Sequence, residues 1–475
     1  MNVPRDNKND SPSSETVFSP VKPIVCDDAG FGSPSETSPS YDNVAFGGTH
    51  TYKPSNRFFA FMNRLVPHGG TISNSYNLAA VCIGSGILSL PASFQATGIV
   101  VAIVILVLVT VSTAYSTYIL GQAAEKSKYS LYTYELLSKG LLGHNCDILA
   151  AFIMWMFCFG ACVSYVISVG DIIENITQNS NSGSFLVTIW GNRLLVFIVW
   201  ACLMLPLAIP KEINSLRYAS VFSVLAMVYF VFVIVIHAST NAFKDGKLKN
   251  KVSMFKWGND AASGVGTFIF SFVCQTNTFE VLREMTNPTP ARLTIDTTLS
   301  MSACCLLYII SGLFGYLDFG EYINDSILLF YNAKQEPMVF LSYFFIGLKL
   351  CVSFGLCILP SRDSLYYCLS KKYPTFKSIH TVPFWLNASI CVAMSTLALL
   401  LGVTGIQINV VFNLIGGFCG GFIGFIFPAL FIMYCGGWTL KKVGWFHYLS
   451  TYLLLIFGVL AVVLGTGTTI YSMVP

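Results

Sequence analysis

The sequence predicts an all-α polytopic membrane protein of eleven transmembrane helices, the first and sixth of them interrupted. Three observations carry this. Hydrophobic residues fill 54% of the 475 positions and charged residues only 11%, a balance no soluble domain of this size tolerates. Apolar runs long enough to cross a bilayer recur along the chain from about residue 70. Two of those runs carry breaks in their interiors, where a regular spanning helix has no use for them.

Residues 1–70 are rich in Ser, Pro, Asp, Asn and Gly, with Ser-Pro pairs at Ser11, Ser19, Ser33 and Ser38. They bury too little apolar surface to fold alone and read as a disordered cytoplasmic tail, open to phosphorylation or simply solvated. The eleven-helix body is residues 71–475. Met1 to Phe58 lacks the apolar run of a signal peptide, so the first span is expected to target the chain.

The eleven spans are expected at about 72–96, 98–121, 147–171, 189–209, 217–238, 262–284, 297–318, 338–360, 382–404, 408–434 and 446–472. With the N-terminus cytoplasmic and the C-terminus outside, 19 Lys and Arg face the cytoplasm and seven the other side. The lysine-rich stretch from Lys244 to Lys251 breaks that bias locally. Two N-x-S/T triplets, headed by Asn175 and Asn324, then fall outside as glycan acceptors require, whereas Asn387 heads one inside a span. The fifteen cysteines are scattered among apolar residues with no metal spacing, and the expected outer loops hold none for a disulfide.

The first span is interrupted at Gly84-Ser85-Gly86. Glycines there loosen the helical ladder, and freed backbone groups persist at membrane depth where they line a polar cavity. The positive end of a second half-helix, near Ser85, Gly86 and Ile87, would receive an anionic group, and carbonyls near Cys82 and Ile83 would hold a cation. A free amino acid carries both charges. Close packing of two helices on small residues explains the same glycines equally well. The sixth span is broken by polar residues, Gln275-Thr276-Asn277-Thr278, which face other helices or a site. Breaks in spans one and six occupy corresponding positions if the first ten spans form two inverted halves of five.

GSGIL (Gly84 to Leu88), SFVCQTNTFEVLREM (Ser271 to Met285) with NPTPARL (Asn287 to Leu293), and FIFPALF (Phe425 to Phe431) after the glycine-rich Gly416 to Gly424 resemble the amino acid/auxin permease family. The resemblance covers all but the tail. It implies a leucine-transporter-type fold, a 5+5 inverted repeat plus one extra helix, and amino acid transport by alternating access. By position, it implies a substrate backbone held between Gly84–Ile87 and the stretch containing Phe272, Gln275, Thr276 and Asn277. Family members commonly have His where this chain has Gln275.

The third span, with Phe159, Cys162, Val163 and Tyr165, would wall that pocket or merely pack. Glu280, Arg283 and Glu284 read as an interfacial cluster or gate, Asp171 and Asp318 as span-end carboxylates, and His144 and His237 as lone interfacial histidines. Lys349 stands roughly 16 Å along its helix from either end, too far to snorkel. It must face the interior, pair, or give up its proton, and by the resemblance it borders the usual sodium position, which makes it the coupling candidate.

No nucleophile with a base, metal cluster or carboxylate pair is spaced for chemistry, so an enzyme is not expected. The expected function is secondary active transport of free L-amino acids, neutral or cationic such as arginine and lysine. A coupling ion, proton or sodium, is expected and no cofactor. The expected partners are the amino acid and the bilayer, and a net charge of +4 is too small to argue for nucleic acid. The plasma membrane is the expected address, a vacuolar or lysosomal membrane the alternative. A receptor of transporter shape that signals without net transport is the rival function.

Overall fold

The computed structural model describes residues 69–473, apart from 128–132, 144, 179–184, 186–187, 211–215, 245–246, 257, 286–287 and 377–380. The N-terminal tail up to residue 68 and His144 therefore lie outside the described residues.

Among the described residues, nine helices are long and apolar enough to cross a membrane. A bent pair, Thr71–Cys82 and Ser85–Thr97, makes a tenth span with a 49° bend between its halves. The sixth expected span is also helical in two pieces, Asn259–Phe272 and Gln275–Glu284. At 14 and 10 residues, each falls short of the roughly 20 that a straight crossing needs.

Helix ends follow local chemistry. Thr133, Thr188 and Thr289 accept hydrogen bonds from backbone amides three residues on, capping the helices that follow. Thr289 and Pro290 start the seventh span seven residues before the apolar run, because cap and fixed proline φ favour helix while the chain is still polar. The eighth span, Pro337–Ser370, continues through Pro360. That proline removes the amide partner of the Leu356 carbonyl, and both residues line the cavity described below.

Small residues set the close crossings. A side chain at Gly160 would collide with Ile415, and one at Gly266 or Gly416 with the backbone of the opposite helix. Between the latter two, the Thr267 amide and hydroxyl both donate to the Asn413 side-chain oxygen, at 3.0 and 2.8 Å. The third span packs along the eighth, the second along the seventh, and the first half of span one lies against spans five and seven. Trp190, Trp385 and Trp445 stand exposed near helix ends, as interfacial aromatics do.

Three expectations need correction. The all-α reading misses a short hairpin, Phe243–Lys244 paired with Lys247–Leu248. His237 is not alone: its Nδ1 lies 2.5 Å from Asp318 and its Nε2 3.2 Å from Glu336, tying the ends of three spans together. Asn175 is buried within the third span; its amide donates to the Tyr331 carbonyl at 2.5 Å and its oxygen accepts from the Ala333 amide at 3.4 Å. That leaves no free amide for a glycan. Asn324 is exposed.

Candidate functional site

At the first break the helix Thr71–Cys82 ends in an inverse γ-turn. Ile83 has φ −72° and ψ 63°, and the Gly84 amide donates to the Cys82 carbonyl at 2.6 Å. A short 3₁₀ turn, Ser85–Ser89, then leads into the helix Leu90–Thr97. At the second break Val273 is extended and Cys274 opens the helix Gln275–Glu284.

The carbonyls freed by the first break find side chains. Lys349 Nζ, fully buried, donates to the Ile83 carbonyl at 2.6 Å and lies 5.8 Å from the centre of the Tyr165 ring. The Tyr308 hydroxyl sits 2.7 Å from the Cys82 carbonyl and 2.9 Å from the Ser271 carbonyl, so one group serves both broken helices. Ser85 and Ser164 hydroxyls meet at 2.7 Å, which fixes the break to the third span.

Beside the breaks lies a cavity. Cys82, Gly84, Tyr165, Val273, Thr276 and Asn277 line its deep part, and Asn77, Glu280, Glu284 and Pro360 line it toward the end of the bundle where the first span begins. Ser220, Ser223 and Ser353 add hydroxyls to its walls, and Phe157, Phe270, Val281 and Leu356 add apolar surface. A recess of this composition, apolar with a few convergent polar groups, suits a small polar organic molecule.

The residues singled out in the sequence divide between wall and frame. Cys82, Gly84, Tyr165, Thr276 and Asn277 line the cavity. Ile83, Ser85, Gly86, Ile87, Phe272, Gln275 and Cys162 are buried in the packing around it. Gly86 abuts Ser271, Phe272 packs edge-on against Tyr308 at 5.0 Å, and the Cys162 thiol points to the Phe354 carbonyl at 3.7 Å. The Gln275 amide nitrogen lies 3.3 Å from both the Ser116 hydroxyl and the Gly424 carbonyl, while Ser116 itself bonds Gly424. Phe159 stacks on Trp155 at 5.4 Å, and Val163 approaches the turn at Gly402. Sequence reasoning missed Tyr308 and Ser164. The only signal for either was a hydroxyl inside an apolar span.

Residues 68–471 match the family profile described as transmembrane amino acid transporter protein. The vacuolar amino acid transporter 5 of Schizosaccharomyces pombe is 27% identical, over 76% of this chain and 83% of its own length. The sodium-coupled neutral amino acid transporter 7 of Xenopus laevis is 26% identical, over 81% of this chain and 84% of its own length. The solved inward-facing conformation of Mhp1 is similar with a TM-score of 0.51 at 14% identity, over 84% of this chain and 90% of that one, a likeness of fold.

Proposed function

Because a chain matched by that profile from residue 68 to residue 471 belongs to the transmembrane amino acid transporter family, we propose that it moves free amino acids, neutral or cationic, by proton-coupled alternating access. The sixth broken helix completes eleven spans in this reading, arranged as two inverted halves of five and one extra, with the N-terminus cytoplasmic. The substrate's charged head sits beside Gly84 and Val273, and the cavity is its path to the cytoplasm. Both relatives described above are transporters by name, one of them vacuolar. We therefore move the proposed address from the plasma membrane to an acidic organelle, whose lumen would supply the protons.

One observation carries the coupling: a buried lysine amine bonded to the carbonyl that ends the first half-helix. A charged donor bonds a carbonyl roughly twice as strongly as a neutral one. Protonated, Lys349 holds the first half of span one against span eight; deprotonated, it loosens that grip and frees the half-helix to swing. An ammonium placed there also occupies the position a sodium ion would need, which favours protons as the driving ion. The same carbonyl was expected to hold a cation, and Lys349 supplies one from within the chain.

Reconstitution in sodium-free liposomes tests this. Labelled amino acid should accumulate only under an imposed pH gradient, and Lys349→Met should keep substrate exchange while losing that dependence. Uptake that ignores pH and requires sodium sinks the coupling role, as does a Lys349→Met protein that still concentrates substrate on protons alone.

A further inference from the structure

The helix Gln275–Glu284 turns one face to the cavity, carrying Thr276, Asn277, Glu280 and Glu284 at spacings of three and four residues. Glu280 and Glu284 are the only charged side chains lining the cavity among the described residues; no Lys or Arg does. Their neighbour Arg283 lies off that wall, its Nε donating to the Phe279 carbonyl at 3.4 Å. Glu284 accepts from the Asn77 amide at 3.4 Å. Glu280 is exposed at the cavity wall and makes no hydrogen bond or ion pair among the described residues, the Arg283 guanidinium acting on its charge only at a distance.

From this we propose that Glu280 is the side-chain subsite for a cationic substrate, so that the protein prefers arginine and lysine to neutral amino acids. The proposal rests on the transport reading above and adds a substrate class to it. Val273, beside the head, stands seven positions before Glu280, about 10.5 Å at helical rise, a span that a substrate stem and the glutamate side chain cover between them. An extended lysine side chain, with its four-carbon stem, reaches roughly 6 Å from its α-carbon. A substrate with its head at Gly84 and Val273 would run its stem past Thr276 and Asn277, along the apolar surface of Phe157 and Phe270, and set its cation at Glu280. An anionic side chain would meet two carboxylates and, among the described residues, no cation on the cavity wall. A neutral one would leave Glu280 unpaired as the cavity closes, which is costly once water is excluded.

The test is competition for uptake by the full-length protein in liposomes, with labelled arginine and labelled leucine as the two reporters. Arginine and lysine should compete about tenfold better than leucine or glutamine, since one partly desolvated charge pair is worth about that factor. Glu280→Gln should raise the half-saturation for arginine by about tenfold more than that for leucine, and Glu280→Asp should recover part of the difference. A wild type that prefers neutral substrates overturns the inference and leaves amino acid transport standing. Equal shifts for both reporters also overturn it, because they describe a gate and not a subsite. A wild type that moves no amino acid in the panel fails the transport reading itself.

Discussion

Replacing Gly86 with alanine separates a packing role from a binding role at the first break. A Cβ at Gly86 would fall inside the Ser271 hydroxyl and within 3.3 Å of the Phe270 ring. The obstructing hydroxyl is itself bonded to the Thr267 carbonyl at 2.8 Å, so it does not swing away freely. Overpacking of this kind costs about 1–3 kcal/mol, and losing the Ser271 bond adds about 1 kcal/mol. Gly86→Ala should therefore cost about 2–4 kcal/mol, near the top of what single substitutions do. The assay is the apparent melting midpoint of purified protein, followed by transport kinetics on the surviving fraction. The midpoint should fall, survivors should keep wild-type affinity, and Ser271→Gly in the same chain should restore much of the loss. Gly84→Ala is the contrast: its Cβ would stop 3.3 Å from the Tyr165 hydroxyl, inside the cavity, and should weaken affinity while sparing the midpoint. An unchanged midpoint with weakened affinity in Gly86→Ala would refute the argument and return Gly86 to the substrate.

Two further outcomes follow from residues away from the cavity. Enzymatic removal of N-glycans should shift the mobility of the wild type and of Asn175→Gln but not of Asn324→Gln, since only the exposed asparagine offers its amide; a shift lost in Asn175→Gln reverses that assignment. Glu135, in the first turn of the short helix Tyr134–Leu142, accepts from the Ser364 hydroxyl at 3.0 Å, and its enclosure pushes its pKa above the ordinary carboxylate value. A carboxyl raised in the fold costs nothing while protonated in both states and destabilises as pH climbs from its unfolded value of 4.5 through the folded one. Glu135→Gln, which keeps the acceptor, should thus melt higher than wild type at pH 7.5 and converge with it toward pH 4.5; a constant gap, or one that widens in acid, contradicts the sign.

The spans were legible because lipid imposes one rule on every residue: helix, and apolar outside. Their observed limits lie within a few residues of those expected, except where the third span runs on to Gln178, Thr289 and Pro290 start a helix early, or Pro360 fails to stop one. Lys349 was legible as an interior group because its side chain is too short to reach water, but its partner was not, since a carbonyl looks alike at every position. Of the twelve positions expected to meet substrate, five line the cavity. Glycines and polar residues at mid-membrane announce a break without saying which side of it faces the cavity. Gln275 shows the ambiguity well: it is polar and central, yet its amide is spent on Ser116 and Gly424 in neighbouring helices.

That division of labour bears on selectivity. The carbonyls freed at the first break are taken by Tyr308 and Lys349, the Ser85 hydroxyl meets Ser164, and the Gly86 α-carbon lies against Ser271. What the breaks leave open to a ligand is chiefly the stretch at Cys82, Gly84 and Val273, enough to recognise a head that all amino acids share. Backbone at two chain interruptions distinguishes one amino acid from another poorly, because every candidate presents it with the same ammonium and carboxylate. In the proposed reading, discrimination then comes from side chains farther along the cavity, where Thr276, Asn277 and Glu280 succeed one another at helical spacing. A substitution that retunes substrate choice should accordingly fall on that face, one that weakens transport of every substrate alike on Tyr308, and one that spares exchange but ends accumulation on Lys349.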